Sequence, residues 1–310
     1  MSGGATKNLF GSCVGLALGS GHKGGNRMQQ RLSKAQISAA EWEIQFNPRA
    51  ATPDSEAYRA MLAPYNAAAV AELRCHSDVS FGDHPLRNLD IFPAASAHAP
   101  VHVFIHGGYW RSQDKANFAF VAGALVPMGI TTVIMNYELC PETDLNGVTS
   151  SALDGFAWIS EHIGDYGGDP RNISISGHSA GAHLTAEIMA HDHSPSRAIS
   201  GAVMISGVFD PANVSKTSVN DVLCLSPETI SRRNVLLRPT RMQAQTTIVV
   251  GGDEPELWVD QSVDYYHHLR RQGMKPSLHV LPALNHYNIL GLFHDPNGPV
   301  IEAITSAANG

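Results

Sequence analysis

Along this chain, short apolar runs alternate with longer amphipathic stretches, each pair separated by glycine, proline or polar residues. Val101-His102-Val103-Phe104-Ile105 predicts a buried strand that ends directly in His106-Gly107-Gly108-Tyr109-Trp110. A helix over Phe118–Met128, stopped by Gly129, a strand over Ile130–Asn136 and a helix over Val148–Ile163 follow. Ile173-Ser174-Ile175-Ser176 alternates apolar and small polar residues as a short buried strand does. It breaks at Gly177 and continues from Ala180 as a helix-compatible run through Leu184 and Ile188. Ala198–Ser206 and Thr246–Val250 are two further strands separated by a polar stretch. Leu278–Leu281 is the last strand, and residues 288–307 make a final helix around a Pro/Gly break. Val79–Phe81 and Leu89–Phe92, joined by a turn at Gly82-Asp83-His84-Pro85, form an early strand pair. Strands alternating with helices at this spacing imply an α/β fold: a mostly parallel central sheet with helices on both faces.

Ahead of the sheet, Ser33 to about Leu73 looks helical with a break at Asn47-Pro48. Ser33 and Ser38 are plausible caps, and Pro53-Asp54-Ser55 opens a helix over Glu56–Leu62. Residues 1–35 are Gly/Ser-rich and aperiodic, a flexible lead-in to a single domain over 36–310. Lys7 followed by Leu9–Leu18 imitates a signal peptide, but glycines interrupt the run and no clean cleavage site follows.

Composition narrows the function classes. The 310 residues are 43% hydrophobic and 16% charged, ordinary for a soluble globular chain. A net charge of −7 offers no basic footprint for nucleic acid, and no apolar run reaches membrane-spanning length. Cys13, Cys75, Cys140 and Cys224 are widely spaced, which fits a reducing cytoplasm better than a disulfide framework or a zinc site. The expected partner is a small-molecule substrate, with a homodimer left open.

Strand, sharp turn, helix, with serine at the turn, is the context in which G-x-S-x-G carries chemistry. Gly177 and Gly181 leave room for a strand and a helix to pack closely, and Ser179 stands at the turn as the candidate nucleophile. The N–H of Ala180, at the helix N-terminus, faces any oxyanion formed there. His286, after the last strand, is the candidate base; His267, His268 and His279 lie in a helix or a strand and are weaker. Asp253, nearest the end of the Ile248-Val249-Val250 strand, is the preferred acid, with Glu254 and Glu256 as competitors. The order Ser, Asp, His is the one this fold uses. His106-Gly107-Gly108-Tyr109-Trp110 supplies the other oxyanion donors, Gly108 and Tyr109. His102 with His106, and His191 with His193, lack convincing ligand geometry, so no metal and no organic cofactor are expected.

These motifs resemble those of α/β-hydrolases, and within them the arylformamidase (kynurenine formamidase) group and its bacterial esterase and amidase relatives. The matching pieces are His106 to Trp110, Asn136 to Glu142, Gly177 to Leu184, Gly207-Val208-Phe209-Asp210, Val250 to Ser262 and His286 to Leu290. The resemblance implies an α/β-hydrolase fold and serine hydrolysis of a small aryl formamide such as N-formyl-L-kynurenine, with no cofactor. Carboxylesterases and hydrolases of other small amides share the same build. Tyr109 in place of the third glycine of H-G-G-G narrows the pocket. Phe81, Trp110 and Tyr287 would complete a flat apolar slot, with Gly107 and His178 beside the reacting carbonyl.

Overall fold

In a computed structural model, which describes residues 34, 37–191 and 199–309, the apolar runs assemble one eight-stranded sheet in the order β1-β2-β4-β3-β5-β6-β7-β8. Apart from Lys34, the lead-in expected over residues 1–35 falls outside the described residues, and so does the cap expected at Ser33. The strands are β1 (His76–Ser80), β2 (Asn88–Phe92), β3 (Ala99–Ile105), β4 (Thr131–Met135), β5 (Gly168–His178), β6 (Ile199–Ile205), β7 (Gln245–Gly251) and β8 (Ser277–Leu281). β1 and β2 join antiparallel; every pairing from β4 to β8 is parallel.

β3 shows why the central strands read as continuous apolar runs. Val101, Val103 and Ile105 face one core, while Phe104 faces the other. Both faces are covered, so neither offers a polar side chain to water. A Val, Ile or Phe side chain buried in this way contributes about 1.5–3 kcal/mol. Phe104→Ala would cost about 3–5 kcal/mol, transfer and cavity together. The alternation of β5 has a local cause. Ile173 and Ile175 join the first core, while Ser174 and Ser176 turn to the opposite face and meet His102. The His102 ring nitrogens lie 2.8 Å from Ser174 Oγ and 2.7 Å from Ser176 Oγ. Both nitrogens are thus occupied inside the sheet, and burial pushes the imidazole down to about 3, so it stays neutral.

Helices α1 (Ala39–Phe46), α2 (Pro48–Ala51) and α3 (Ser55–Glu72) precede the sheet. Ser38 caps α1 by accepting from Glu41 N–H, and Asn47 caps α2, so the expected break at Asn47-Pro48 is real. α3 runs on past Leu62 through Pro64 to Glu72, longer than its sequence pattern suggests, and only Ser55 and Ala69 are buried along it. α4 (Ala119–Leu125), α5 (Leu145–His162) and α6 (Ala180–Met189) pack on the sheet. The polar stretch between β6 and β7 holds three short helices, α7 (Pro211–Val214), α8 (Asn220–Leu223) and α9 (Pro227–Arg233). α10 (Glu256–Arg271) and α11 (Pro299–Asn309) complete the set. The final helix expected over 288–307 divides into a 3₁₀ turn, Asn288–His294, and α11 at the Pro/Gly break.

Because β3, β5, β7 and β8 run parallel, their exit loops gather at one end of the sheet, where α/β folds bind ligands.

Candidate active site

The turn after β5 is built by close backbone approach. A Cβ on Gly177 would sit 2.2 Å from the Gly181 carbonyl carbon, and one on Gly181 would sit 2.0 Å from Ile105 O. Neither position admits another residue without moving main chain. Between them Ser179 takes φ 56° and ψ −117°, a strained conformation for a residue with a side chain. Main-chain bonds on both sides hold it there. Ser179 N–H donates to Ile205 O at 2.8 Å, and Ser179 O accepts from Ala182 N–H (3.1 Å) and His183 N–H (3.3 Å). The side chain lines a cavity of about 830 Å³, together with Gly107, Gly108, Tyr109, His178, His286 and Tyr287.

His286 and Glu254 meet behind this cavity. His286 Nδ1 lies 2.7 Å from Glu254 Oε2, and both side chains are buried. The other carboxylate oxygen accepts from Ser206 Oγ–H at 2.5 Å and from Gly251 N–H at 2.9 Å. A buried carboxylate is tolerable when each oxygen is used in this way. The edge of Trp258 stands against the imidazole, with ring centroids 4.8 Å apart and planes at 80°, while its own N–H donates to Ser206 O. The loop that carries His286 is shaped by Asn285, whose Oδ1 accepts from Tyr287 N–H and Asn288 N–H.

Asp253, the acid preferred from sequence, does not make this contact. The turn after β7 bonds Asp253 N–H to Leu284 O at 3.0 Å and leaves the side chain exposed. Glu254, one residue on, points inward. Proximity to the strand end is therefore the wrong criterion: the turn decides which carboxylate faces the histidine.

The turn after β3 also has unusual backbone. Gly108 takes φ 111°, followed by Tyr109 at φ 51° and Trp110 at φ 55°. At Gly108 a Cβ would lie 2.1 Å from Ser112 O, so glycine is required there. Two residues after β4 support this turn from below. Tyr137 Oη–H donates to the His106 carbonyl at 2.9 Å, with the Gly107 carbonyl 3.3 Å away. Asn136 Oδ1 accepts from Lys115 N–H at 2.8 Å and lies 3.1 Å from His106 Nε2, and its amide donates to Asp114. The Tyr109 hydroxyl donates to the Phe46 carbonyl, which ties α1 to the same turn. Neither Asn136 nor Tyr137 is discernible as a supporting residue from its sequence neighbourhood.

Of the expected substrate contacts, Gly107, His178 and Tyr287 line the cavity; Trp110 and Phe81 do not. The backbone at φ 55° drives Trp110 into the core, fully buried, with its edge against the His183 ring 5.0 Å away. Phe81 packs on α5, its ring 3.1 Å from where a Cβ on Gly155 would be. The expected flat slot of Phe81, Trp110 and Tyr287 is thus corrected. The walls come instead from α2, α3, Tyr109, Phe118 and Phe120, with Cys140 and Pro141 at one side. His178 donates from Nε2 to the His286 carbonyl at 2.8 Å. Burial first, and then the neighbouring His286, hold its imidazole well below the usual range, so it is neutral. Burial also pushes the Cys140 thiol up to about 11.

Comparisons with known proteins agree with this architecture. The model of a family described as alpha/beta hydrolase fold matches residues 102–290. Kynurenine formamidase of Danio rerio is 28% identical over 282 residues, covering 84% of this chain and 93% of its own. That of Drosophila melanogaster is also 28% identical, covering 62% and 67%. Among solved structures, a putative thioesterase from Silicibacter sp. TM1040 superposes with a TM-score of 0.76 at 23% identity, over 84% of this chain and 97% of that one. Esterase B of Lactobacillus rhamnosis gives 0.64 at 17% identity, over 83% and 94%. With the family match extending over more than half its length, the chain belongs to the alpha/beta hydrolase fold family and is a hydrolase.

Proposed function

We propose that this hydrolase acts through Ser179 and an acyl-enzyme, on a small aryl formamide or amide of the N-formylkynurenine kind. The observation that carries this reading is the buried Glu254–His286 contact at 2.7 Å, set beside Ser179 on one cavity. Glu254 holds Nδ1–H and leaves Nε2 as the basic nitrogen of the ring. In the proposed cycle His286 Nε2 takes the Ser179 hydroxyl proton as Oγ attacks the carbonyl carbon. The N–H groups of Gly108, Tyr109 and Ala180 receive the oxyanion, each donor lowering the barrier by about 3 kcal/mol. His286 returns the proton to the departing nitrogen, and the C–N bond breaks. Water, deprotonated by the same imidazole, then attacks the acyl-serine; the imidazolium gives that proton to Ser179 Oγ as the ester bond breaks, releasing formate or another acid.

The similarity to kynurenine formamidases supports the formamide, and would place the reaction in tryptophan catabolism. The test is steady-state hydrolysis of N-formylkynurenine beside p-nitrophenyl acetate, with wild type and Ser179→Ala. Serine-dependent release of kynurenine, exceeding ester turnover, is the expected result. Ester turnover alone would keep Ser179 and replace the formamide. Undiminished activity in Ser179→Ala would exclude the serine mechanism.

A further inference from the structure

Helix α10 begins without a side-chain cap of its own. Its N-cap position is Pro255, which has no side-chain oxygen to accept the orphan N–H groups of a first helical turn. One of those groups, Leu257 N–H, belongs to a buried residue. It is met by a side chain 212 residues away in sequence: Gln45 Oε1, on the last turn of α1, accepts it at 2.9 Å. Chemistry settles which way that amide faces, because a main-chain N–H can only donate and a carboxylate can only accept. Gln45 Nε2–H accordingly donates to Glu41 Oε1 at 2.9 Å. The end of α1 is itself held in place. The Phe46 carbonyl accepts the Tyr109 hydroxyl, and the Glu43 carboxylate accepts Ser218 N–H at 2.9 Å and Ser218 Oγ–H at 2.7 Å. Gln45 is therefore a fixed acceptor, aimed at the start of α10.

A glutamine that only filled space between two helices would be a costly choice, since its buried amide must find partners for both ends. What this one fixes is the turn after β7. The near end of that turn is held by main chain, Glu254 N–H donating to Gly251 O at 3.3 Å, and the far end is held by Gln45. Three residues before Leu257, Glu254 meets His286 Nδ1 at 2.7 Å; one residue after it, Trp258 sets its edge against the same imidazole. The two contacts that place His286 thus flank the capped N–H. Resting on the serine-hydrolase reading, in which Glu254 is the acid behind His286, we infer that Gln45 is a positioning residue for that acid. It caps α10 from α1 and so holds Glu254 and Trp258 where the imidazole needs them. Gln45 does not line the cavity, so it acts through the turn and not on the substrate.

The test is a double-mutant cycle on the full chain, read by hydrolysis of N-formylkynurenine and p-nitrophenyl acetate. Gln45→Met keeps the length of the side chain and removes the acceptor. It is expected to lower kcat about tenfold with KM little changed, as when a reacting group is displaced and not lost. In a Glu254→Gln background the same change is expected to cost less than about twofold, because the contact it serves is already impaired. Gln45→Glu combined with Glu41→Gln exchanges donor and acceptor between the two side chains and keeps an oxygen for Leu257 N–H, so it is expected to recover most of the lost kcat. Glu41→Ala, at a partly exposed position, only frees the amide; it covers the case in which Gln45→Met does not fold, and is expected to give a smaller fall in kcat with the same dependence on Glu254. Equal fold losses in the two backgrounds, or a lower melting temperature with kcat unchanged, would make Gln45 a packing residue and leave the proposed Glu254–His286 pair standing. A Glu254→Gln variant as active as wild type would instead remove that acid from the mechanism, and this inference with it.

Discussion

Glu254 holds Nδ1 of His286 at 2.7 Å, while Asp253, its immediate neighbour, faces solvent. The two carboxylates are adjacent in sequence and opposite in environment, so they separate cleanly in experiment. Glu254→Gln keeps the size of the side chain but loses the charge that selects the imidazole tautomer. It is expected to lower kcat by about 10³–10⁴-fold, as loss of the triad acid does in serine hydrolases. Asp253→Ala should stay within a few-fold of wild type. Equal losses in the two variants would contradict the assignment.

The Tyr137 hydroxyl supports the turn that carries Gly108 and Tyr109 without touching the cavity. Tyr137→Phe removes bonds to two carbonyls and loosens donors whose value depends on being fixed in advance. A fall in kcat of about tenfold is expected, with KM little changed and a stability loss of about 1 kcal/mol. Thermal melts run beside the kinetics separate the two effects. A change in stability alone would mean that the turn holds its shape by other means.

Histidines held neutral by burial weaken the protein in acid, and four of them lie fully inside the core. His102, His106, His178 and His183 are all held below the ordinary imidazole range, with burial the first cause in each, because the core disfavours imidazolium. In the unfolded chain they titrate normally, so below pH 6.5 the unfolded state binds more protons than the folded one. Stability is therefore complete above pH 6.5 and lost as pH falls, down to about 3 for His102. Each histidine contributes a slope of up to about 1.4 kcal/mol per pH unit in that window. Melting temperatures measured from pH 8 to 4 should stay level and then drop steeply below about 6.5. A flat profile to pH 5 would show that these rings are not neutral when folded.

Cys140 lines the cavity, but burial raises its thiol to about 11. Almost none is thiolate at neutral pH, so it is a poor nucleophile. A fluorophosphonate should inactivate the enzyme stoichiometrically and label Ser179 in a peptide digest. Iodoacetamide at pH 7 should leave activity largely intact. Inactivation that tracks carbamidomethylation of Cys140 would oppose this.

The legible parts of the chain were those where one physical cause dominates. Strands such as β3 and β6 are buried on both faces and read as apolar runs, and the Gly177–Gly181 turn has packing that excludes any side chain. The family resemblance placed the nucleophile and histidine loops together, and the structure does bring Ser179 and His286 to one cavity. What failed depended on direction. Asp253 or Glu254 is a question of how a turn is wound, and Trp110 faces the core because the backbone reverses just before it. Arg49, Arg59 and Arg111 are far apart in sequence and reach one cavity only when α2, α3 and the turn after β3 come together. Tyr137 acts through main-chain carbonyls of another strand's exit, and Asn136 through the His106 ring and the Lys115 N–H, contacts no local pattern encodes.

α3 meets the body of the protein with little of its surface, since only Ser55 and Ala69 among its eighteen residues are buried. It nevertheless supplies Arg59 and much of the cavity wall, while Ser179, Glu254 and His286 stand on loops leaving the sheet. The helix that walls the cavity and the loops that carry the proposed reacting groups are thus separate parts of the fold. Side chains along α3 can therefore be exchanged at little cost to the folded core, which makes the helix the place to reshape the cavity by substitution.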